Sequence, residues 1–359
     1  MKRVILCAIL AAILTASLCS ATSEGYMGTG VTIDSLNIDM EMLPDARCHI
    51  KATLEASMEG ADWSKIPIVS ANMELNITKS GEKKVTMDIQ TEIRLTEDAV
   101  DMLPQELLQL NAEAINLLIA ASGITGKSLS ELLGGFTGLG YGPTVEIPEE
   151  IMDVVIEELS VTQFSWQGTT LRFHVTCTLS GDVLGNENVE KRLPVNFSAS
   201  MNVSETTISI TMNGSSGKSR IEVRGSATKS GDITEIQAEA NAYLELPVVD
   251  GQVVWAPPMP VAEGSLENLI PEQNVNFSLK VPENAKVESL PSGYRQSGNS
   301  YIWSGPEAAG AIGELLGGPV NVSYEYVPPT SDIFVWVIVG VVVAAAIASA
   351  GIIAVRRRK

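Results

Sequence analysis

The chain has 359 residues, 45% hydrophobic and 19% charged, with 43 Asp and Glu against 24 Lys and Arg. That length has room for two or three domains. The acidic balance excludes a nucleic-acid ligand, because phosphate binding needs a basic footprint.

Met1-Lys2-Arg3 is followed by the apolar run "VILCAILAAILTASLCSA" and then by polar "TSEG". A charged start, an apolar centre and small residues before a polar break describe a secretory signal peptide over 1–21, cut after Ala21. The alternative is a retained N-terminal anchor, for which the apolar centre is short. Beyond it, residues 22–330 hold 18 Lys and Arg against 42 Asp and Glu, a net −24. Such charge keeps an exported surface soluble and self-repelling. No D-x-[DN]-x-[DN]-G loop is present, so no calcium site can be named.

Two stretches of the exported part read alike. "IDSLNIDMEM" (33–42) matches "IEELSVTQFS" (156–165), and "RCHIKATLEASMEG" (47–60) matches "RFHVTCTLSGDVLG" (172–185). "IPIVSANMELNIT" (66–78) then resembles "LPVNFSASMNVS" (193–204). His49 and His174, the only two histidines, fall on equivalent positions, as do Asn76 and Asn202. The pattern predicts an internal duplication, with a first β-rich repeat and helices over 22–147 and a second repeat over 148–258.

Within the repeats the apolar period is two. Val85, Met87, Ile89, Thr91, Ile93 and Leu95 share one strand face, Ile208, Ile210 and Met212 another, Ile221 and Val223 a third. Ile236 to Leu246 continue the pattern. Strands with one apolar and one polar face suit antiparallel sheets covering a core on one side. "KSGE" (79–82), "QG" (167–168), "NGSSG" (213–217) and "SGD" (230–232) are the expected turns. Helices are predicted over 104–123, between Pro104 and Gly123, over 128–135 behind a Ser128/Glu131 capping box, and over 148–159. They are expected to cover an apolar sheet face.

"WAPPMPVAEGS" is a proline-rich linker into a membrane-proximal β module over 259–330, with a short helix at 306–318 and a last strand at 320–327. Ile333 to Val355 is then 23 residues without a charge. As a helix it is about 34 Å long, enough to cross a bilayer core with some tilt. Arg356-Arg357-Arg358-Lys359 follows, and a basic cluster stays on the cytoplasmic side. Both ends predict a single-pass protein of the cell membrane, with its N-terminal ectodomain outside and a four-residue cytoplasmic stub.

The fold class expected is α+β, mostly antiparallel β. It comprises two repeated β-rich units with intervening helices, a small membrane-proximal β module and a C-terminal transmembrane helix. "VPENAKVESLPSGY…GNSYIWSG" resembles membrane-proximal β modules of prokaryotic surface proteins, and the whole layout resembles archaeal single-pass surface proteins. The resemblance implies a location and no activity.

"TMNGSSGKSR" (211–220) ends like a phosphate loop, yet Met212 stands where the first glycine is required, and "RIEVRGS" reads as a strand rather than a helix. A hairpin loop explains the same letters, and no nucleotide is expected. Asn213 in that stretch also opens an N-glycosylation sequon, with five more at Asn76, Asn196, Asn202, Asn276 and Asn321, a mild excess. Cys48 and Cys177 remain after the signal peptide, and an even pair in an exported domain suggests a disulfide. Pairing of their two strands around Ile50 and Val175 would set them opposite each other. H-E-x-x-H, G-x-S-x-G and C-x-x-C are absent, and two histidines fall short of a metal-ligand set. Glu149-Glu150 and Glu157-Glu158 read as solvated helix charge. Trp166, Trp255 and Trp303 lie near turns or linkers, where a core role is favoured over a sugar or protein contact.

No catalytic residue, cofactor or metal is therefore assigned. The function expected is a non-enzymatic, membrane-anchored scaffold, adhesion or binding module, with a surface protein, a glycan or a lipid as candidate partners. The alternative is a membrane-tethered carrier or receptor for a lipid or other apolar ligand, enclosed between one-sided strands and apolar helices.

Overall fold

The computed structural model describes residues 31–60, 66–128, 130–131, 153–246, 248–249, 252–254, 274–283, 285–317 and 321–325. The signal peptide, the linker opened by Trp255, the 333–355 segment and the basic stub lie outside the described residues. No helix among the described residues is long and apolar enough to cross a membrane.

The molecule is mostly β with few helices. Ten strands come first: β1 (Val31–Met42), β2 (Arg47–Glu59), β3 (Ile68–Gly81), β4 (Lys84–Leu95), β5 (Val155–Gln167), β6 (Thr170–Ser180), β7 (Val195–Val203), β8 (Thr207–Ser216), β9 (Ser219–Ser230) and β10 (Ile233–Glu245). Shorter ones follow: β11 (Val248–Val249), β12 (Gln252–Val254), β13 (Val275–Lys280), β14 (Lys286–Ser289), β15 (Arg295–Ser297), β16 (Ser300–Ser304) and β17 (Asn321–Glu325). The helices are α1 (Glu97–Asp101), α2 (Gln105–Leu108), α3 (Ala112–Ser122), α4 (Glu187–Glu190) and α5 (Pro306–Gly317).

The described chain forms two compact units, one holding the residues up to Ile66 and those from Ser200 onward, the other Pro67–Ala199. The boundary falls inside β7. In the first unit the strand order is β15-β16-β13-β1-β2-β10-β9-β8, and β1 with β13 is its parallel pair. A small antiparallel sheet, β11-β12-β17-β14, belongs to the same unit. In the second unit the order is β3-β4-β6-β5, antiparallel throughout. Because β4 pairs with β6, strands from both sides of residue 147 share this unit.

Period-two alternation builds both cores. In the first unit Leu36, Ile38, Met40 and Met42 of β1 are buried beside Cys48, Ile50, Ala52, Ala56 and Met58 of β2. Phe277, Leu279 and Trp303 extend that face, and α5 adds Ala308, Ala311 and Ile312. The Trp303 indole Nε1 donates to the carbonyls of Ser292 (2.9 Å) and Pro291 (3.3 Å), so its burial leaves no donor unmet. In the second unit Ile77, Val85, Met87, Ile89, Val175, Cys177 and Leu179 are buried, and Ile119 of α3 packs onto them. Asn116 of α3 meets the edge strand: its Oδ1 accepts from the Val161 amide and its Nδ2 donates to the Val161 carbonyl, both at 2.8 Å. The contact sits at a register shift of β5 between Val161 and Gln163, where the ladder is interrupted.

Three sequence expectations are corrected. The helix over 104–123 is two pieces, because Asn111 stops the run and caps α3 by accepting from the Ala114 amide at 2.9 Å. The helix over 148–159 gives way to β5 from Val155, since Ile156, Leu159 and Val161 bury against β6; residues 148–152 lie outside the described residues. The "NGSSG" loop is a two-residue turn at Gly217-Lys218 instead. Asn213, Gly214 and Ser215 stay in β8, opposite Glu222, Ile221 and Arg220. Gly217 has φ 55°, the positive angle that a tight hairpin needs and only glycine takes freely. The Ser128/Glu131 box is present: the Ser128 amide donates to Glu131 Oε2 (2.8 Å) and the Glu131 amide to Ser128 Oγ (3.3 Å). The helix expected behind it lies mostly outside the described residues.

The two stretches that read alike in sequence share one backbone feature. The β1–β2 ladder shifts register between Ile33 and Ser35, and the β5–β6 ladder shifts between Ile156 and Glu158. These are the equivalent positions of the two matched stretches.

Candidate functional site

Each unit turns one sheet face to its core, and the residues between build a polar face. In the first unit rows of side chains cross that face. Lys280 of β13 pairs with Glu41 of β1 (2.7 Å), Ser278 donates to Asp39 (2.6 Å), and Asn276 donates to Asn37 (2.9 Å). The three pairs are successive cross-strand partners of the parallel ladder. Further across, Lys51 meets Glu239 (3.5 Å), and Glu222 takes Arg224 at 2.5 Å. In the second unit Arg172 meets Glu92 at 2.6 Å, and Lys84 pairs with Glu157. The Lys84 ammonium holds the Glu157 carboxyl below the usual carboxylate range.

The two histidines stand on these faces in matching places. His49 of β2 lies opposite Tyr243 of β10, and its Nε2 bonds Asn241 Oδ1 at 2.8 Å, two residues before its partner. His174 of β6 lies opposite Gln90 of β4, and its Nε2 bonds Asp88 Oδ2 at 2.6 Å, again two residues before its partner. The side rings of His49 and Tyr243 stack at 4.4 Å and 5°. His49 and His174 belong to separate units with separate partners, so each acts within its own ladder.

The expected disulfide is overturned. Cys48 and Cys177 are free thiols, each buried. β2 pairs with β1 and β10, while β6 pairs with β5 and β4, so the assumed pairing of β2 with β6 does not form. Cys48 sits opposite Met42 and Leu244, and Cys177 opposite Met87 and Leu159. Burial pushes both thiols up, that of Cys177 to about 12, so neither is a nucleophile at neutral pH.

The sequons take their meaning from the strands. Asn76, Asn196, Asn202, Asn213 and Asn276 lie on β3, β7, β7, β8 and β13, with their Ser or Thr two residues later in each case. On a strand, residues i and i+2 share one face. An Asn followed two positions on by a hydroxyl residue is therefore what a polar strand face spells by itself. Asn196, Asn202 and Asn276 are exposed, while Asn76 and Asn213 are partly buried. Asn321 opens β17.

Glu157-Glu158 belongs to a bulged strand rather than a helix. Lys218 sits exposed in a hairpin turn, with no helix after it to receive a phosphate. Among the described residues no group of three or more His, Cys, Asp and Glu side chains could hold a metal. What sequence reading missed is Tyr243 beside His49 and the Asn116 clamp on Val161. The alternation of 234–246 sets the face that Tyr243 occupies, but its place beside His49 depends on the β2–β10 pairing, and the clamp likewise depends on a tertiary contact. No protein family and no curated protein matches the chain.

Proposed function

We propose that the chain is a non-enzymatic, membrane-anchored surface protein whose two β units act as binding or scaffold modules. The observation that carries the reading is how the polar faces use their functional groups. Lys280–Glu41, Ser278–Asp39, Asn276–Asn37, Lys51–Glu239, His174–Asp88 and Arg172–Glu92 are lateral pairs between neighbouring strands. Groups tied to one another along a flat ladder give a stiff recognition surface; catalysis needs them converging on one reacting atom. The apolar 333–355 segment and the basic stub supply the anchor, and the archaeal-type layout suits it.

Deleting residues 333–359 tests the anchor. The reading expects the shortened chain in the culture medium and the full chain in the membrane fraction. A shortened chain retained inside the cell overturns it.

The lipid-carrier reading has one observation in its favour. The buried wall of the first unit is lined by small and flexible side chains, Ala52, Ala56, Ala240 and Ala242 beside Met40, Met42 and Met58, which adapt to varied apolar shapes.

A further inference from the structure

The strands rank the sequons. Asn76 lies inside β3 opposite Asp88 of β4, and Asn213 lies inside β8 opposite Glu222 of β9; both are half-buried. Asn276 of β13 is exposed, but its Nδ2 donates to Asn37 Oδ1 at 2.9 Å. Asn196, near the start of β7, is exposed and has a partner. The Asn321 side chain lies outside the described residues.

Asn202 differs from the others. It is exposed, and its side chain has no partner among the described residues. It stands one residue before β7 ends at Val203. There the chain leaves the strand: the Ser204 amide donates to the Thr207 carbonyl at 2.8 Å, and the Thr207 amide donates to Ser204 Oγ at 2.9 Å. Glu205 and Thr206 are exposed at the tip of this turn. A glycan is bulky and belongs in solvent. In mid-ladder it would compete for space with cross-strand side chains about 5 Å away. Beside a turn the strand stops within a residue, and the sugar meets water.

We propose that Asn202 is N-glycosylated, while Asn76, Asn213 and Asn276 on the sheet faces stay bare. The donor class is an oligosaccharide carried on a lipid phosphate. Asn202 Nδ2 forms a bond to the anomeric carbon, and the bond from that carbon to the phosphate oxygen breaks. The lipid phosphate leaves with the electron pair, and the amide gives up one proton. Ser204 supplies the hydroxyl of the sequon. The proposal rests on the surface reading, because the acceptor sequon belongs to an exported chain.

The test is site mapping on the full chain purified from its own membranes. Trypsin cuts after Arg192 and Lys218, which leaves Asn196, Asn202 and Asn213 on one peptide. Electron-transfer fragmentation then assigns the sugar to one residue. The expected result is a glycan on Asn202 and none on Asn76, Asn213 or Asn276. Asn202→Gln should lower the intact mass by one glycan, and Asn276→Gln should change it only by the substitution itself. In parallel, intact cells are treated with a membrane-impermeant amine reagent, for which Lys218 is an exposed target. A bare Asn202 in a chain that the reagent reaches overturns this proposal alone. A bare chain that the reagent does not reach overturns the surface reading and this proposal with it. A glycan on Asn76, Asn213 or Asn276 in place of Asn202 overturns the ranking of the sequons by strand position, and so the proposal.

Discussion

His49 and His174 show the two units side by side. Each reaches through Nε2 to a side-chain oxygen two residues before its cross-strand partner, so the backbone plan is the same. The chemistry is not. In the first unit the acceptor is the Asn241 amide and the ring stacks on Tyr243; in the second it is the Asp88 carboxylate, with Thr176 also within 3.5 Å of it. The lesson is that strand register fixes where a polar group can reach, while the residue type found there sets the kind of bond. A similar contrast holds in the cores. The first unit leans on aromatic side chains, Phe277 and Trp303 at 5.1 Å. The second is aliphatic at its buried end, with an asparagine clamping its edge.

That contrast can be broken most forcefully in the cores. Trp303→Ala in the first unit should cost about 3–5 kcal/mol, and Leu179→Ala in the second about 2–5 kcal/mol. Urea midpoints report both, and a loss below about 1 kcal/mol for either would mean that its core is not as packed as described. Next comes the clamp. Asn116→Ala leaves the Val161 amide and carbonyl unmet, at about 1–3 kcal/mol. Hydrogen exchange at Val161 should quicken with it, and unchanged protection there would contradict the clamp.

The histidine ladders give smaller effects. Tyr243→Ala removes the stacked ring and should cost about 0.5–1.5 kcal/mol beyond its lost buried area. Asp88→Asn turns the second unit's acceptor into that of the first, a change expected to stay within about 1 kcal/mol. A double-mutant cycle of His174 with Asp88 sharpens this, and a coupling above about 3 kcal/mol would make the pair a keystone instead of one rung.

Smallest at neutral pH is the thiol effect. Burial raises both thiols in the folded state. Their contribution is complete below the free-thiol value of about 8.5. It declines as pH rises from there toward about 12, the value for folded Cys177, because only the unfolded chain ionises in that window. The urea midpoint should fall from pH 7 to pH 10, less so in Cys177→Ala. Cys48 and Cys177 should titrate with a thiol reagent only after unfolding and without reductant; their silence in the unfolded chain would restore the disulfide.

Much of the fold was legible because alternation is a local signal. Val85, Met87 and Ile89 read as one strand face and are buried as one. The short helix read at 306–318 and the last strand read at 320–327 are found at Pro306–Gly317 and Asn321–Glu325. Failures came where a distant partner decides. Residues 155–159 carry helix-forming charges, yet β6 draws them into a strand. The Cys48–Cys177 guess required β2 to pair with β6, and no local pattern shows that β10 and β4 take those places. The "NGSSG" letters have strong turn chemistry, but the β8–β9 ladder holds Asn213 through Ser215 in register and moves the turn to Gly217.

The burial of the native thiols makes the anchored-surface account directly testable. Lys218 is exposed at the β8–β9 turn. Lys218→Cys and Lys359→Cys, each in the full chain, are treated with a membrane-impermeant thiol reagent on intact cells and again after lysis. The account predicts that Lys218→Cys reacts on intact cells and Lys359→Cys only after lysis. Reaction of Lys218→Cys only after lysis would contradict it.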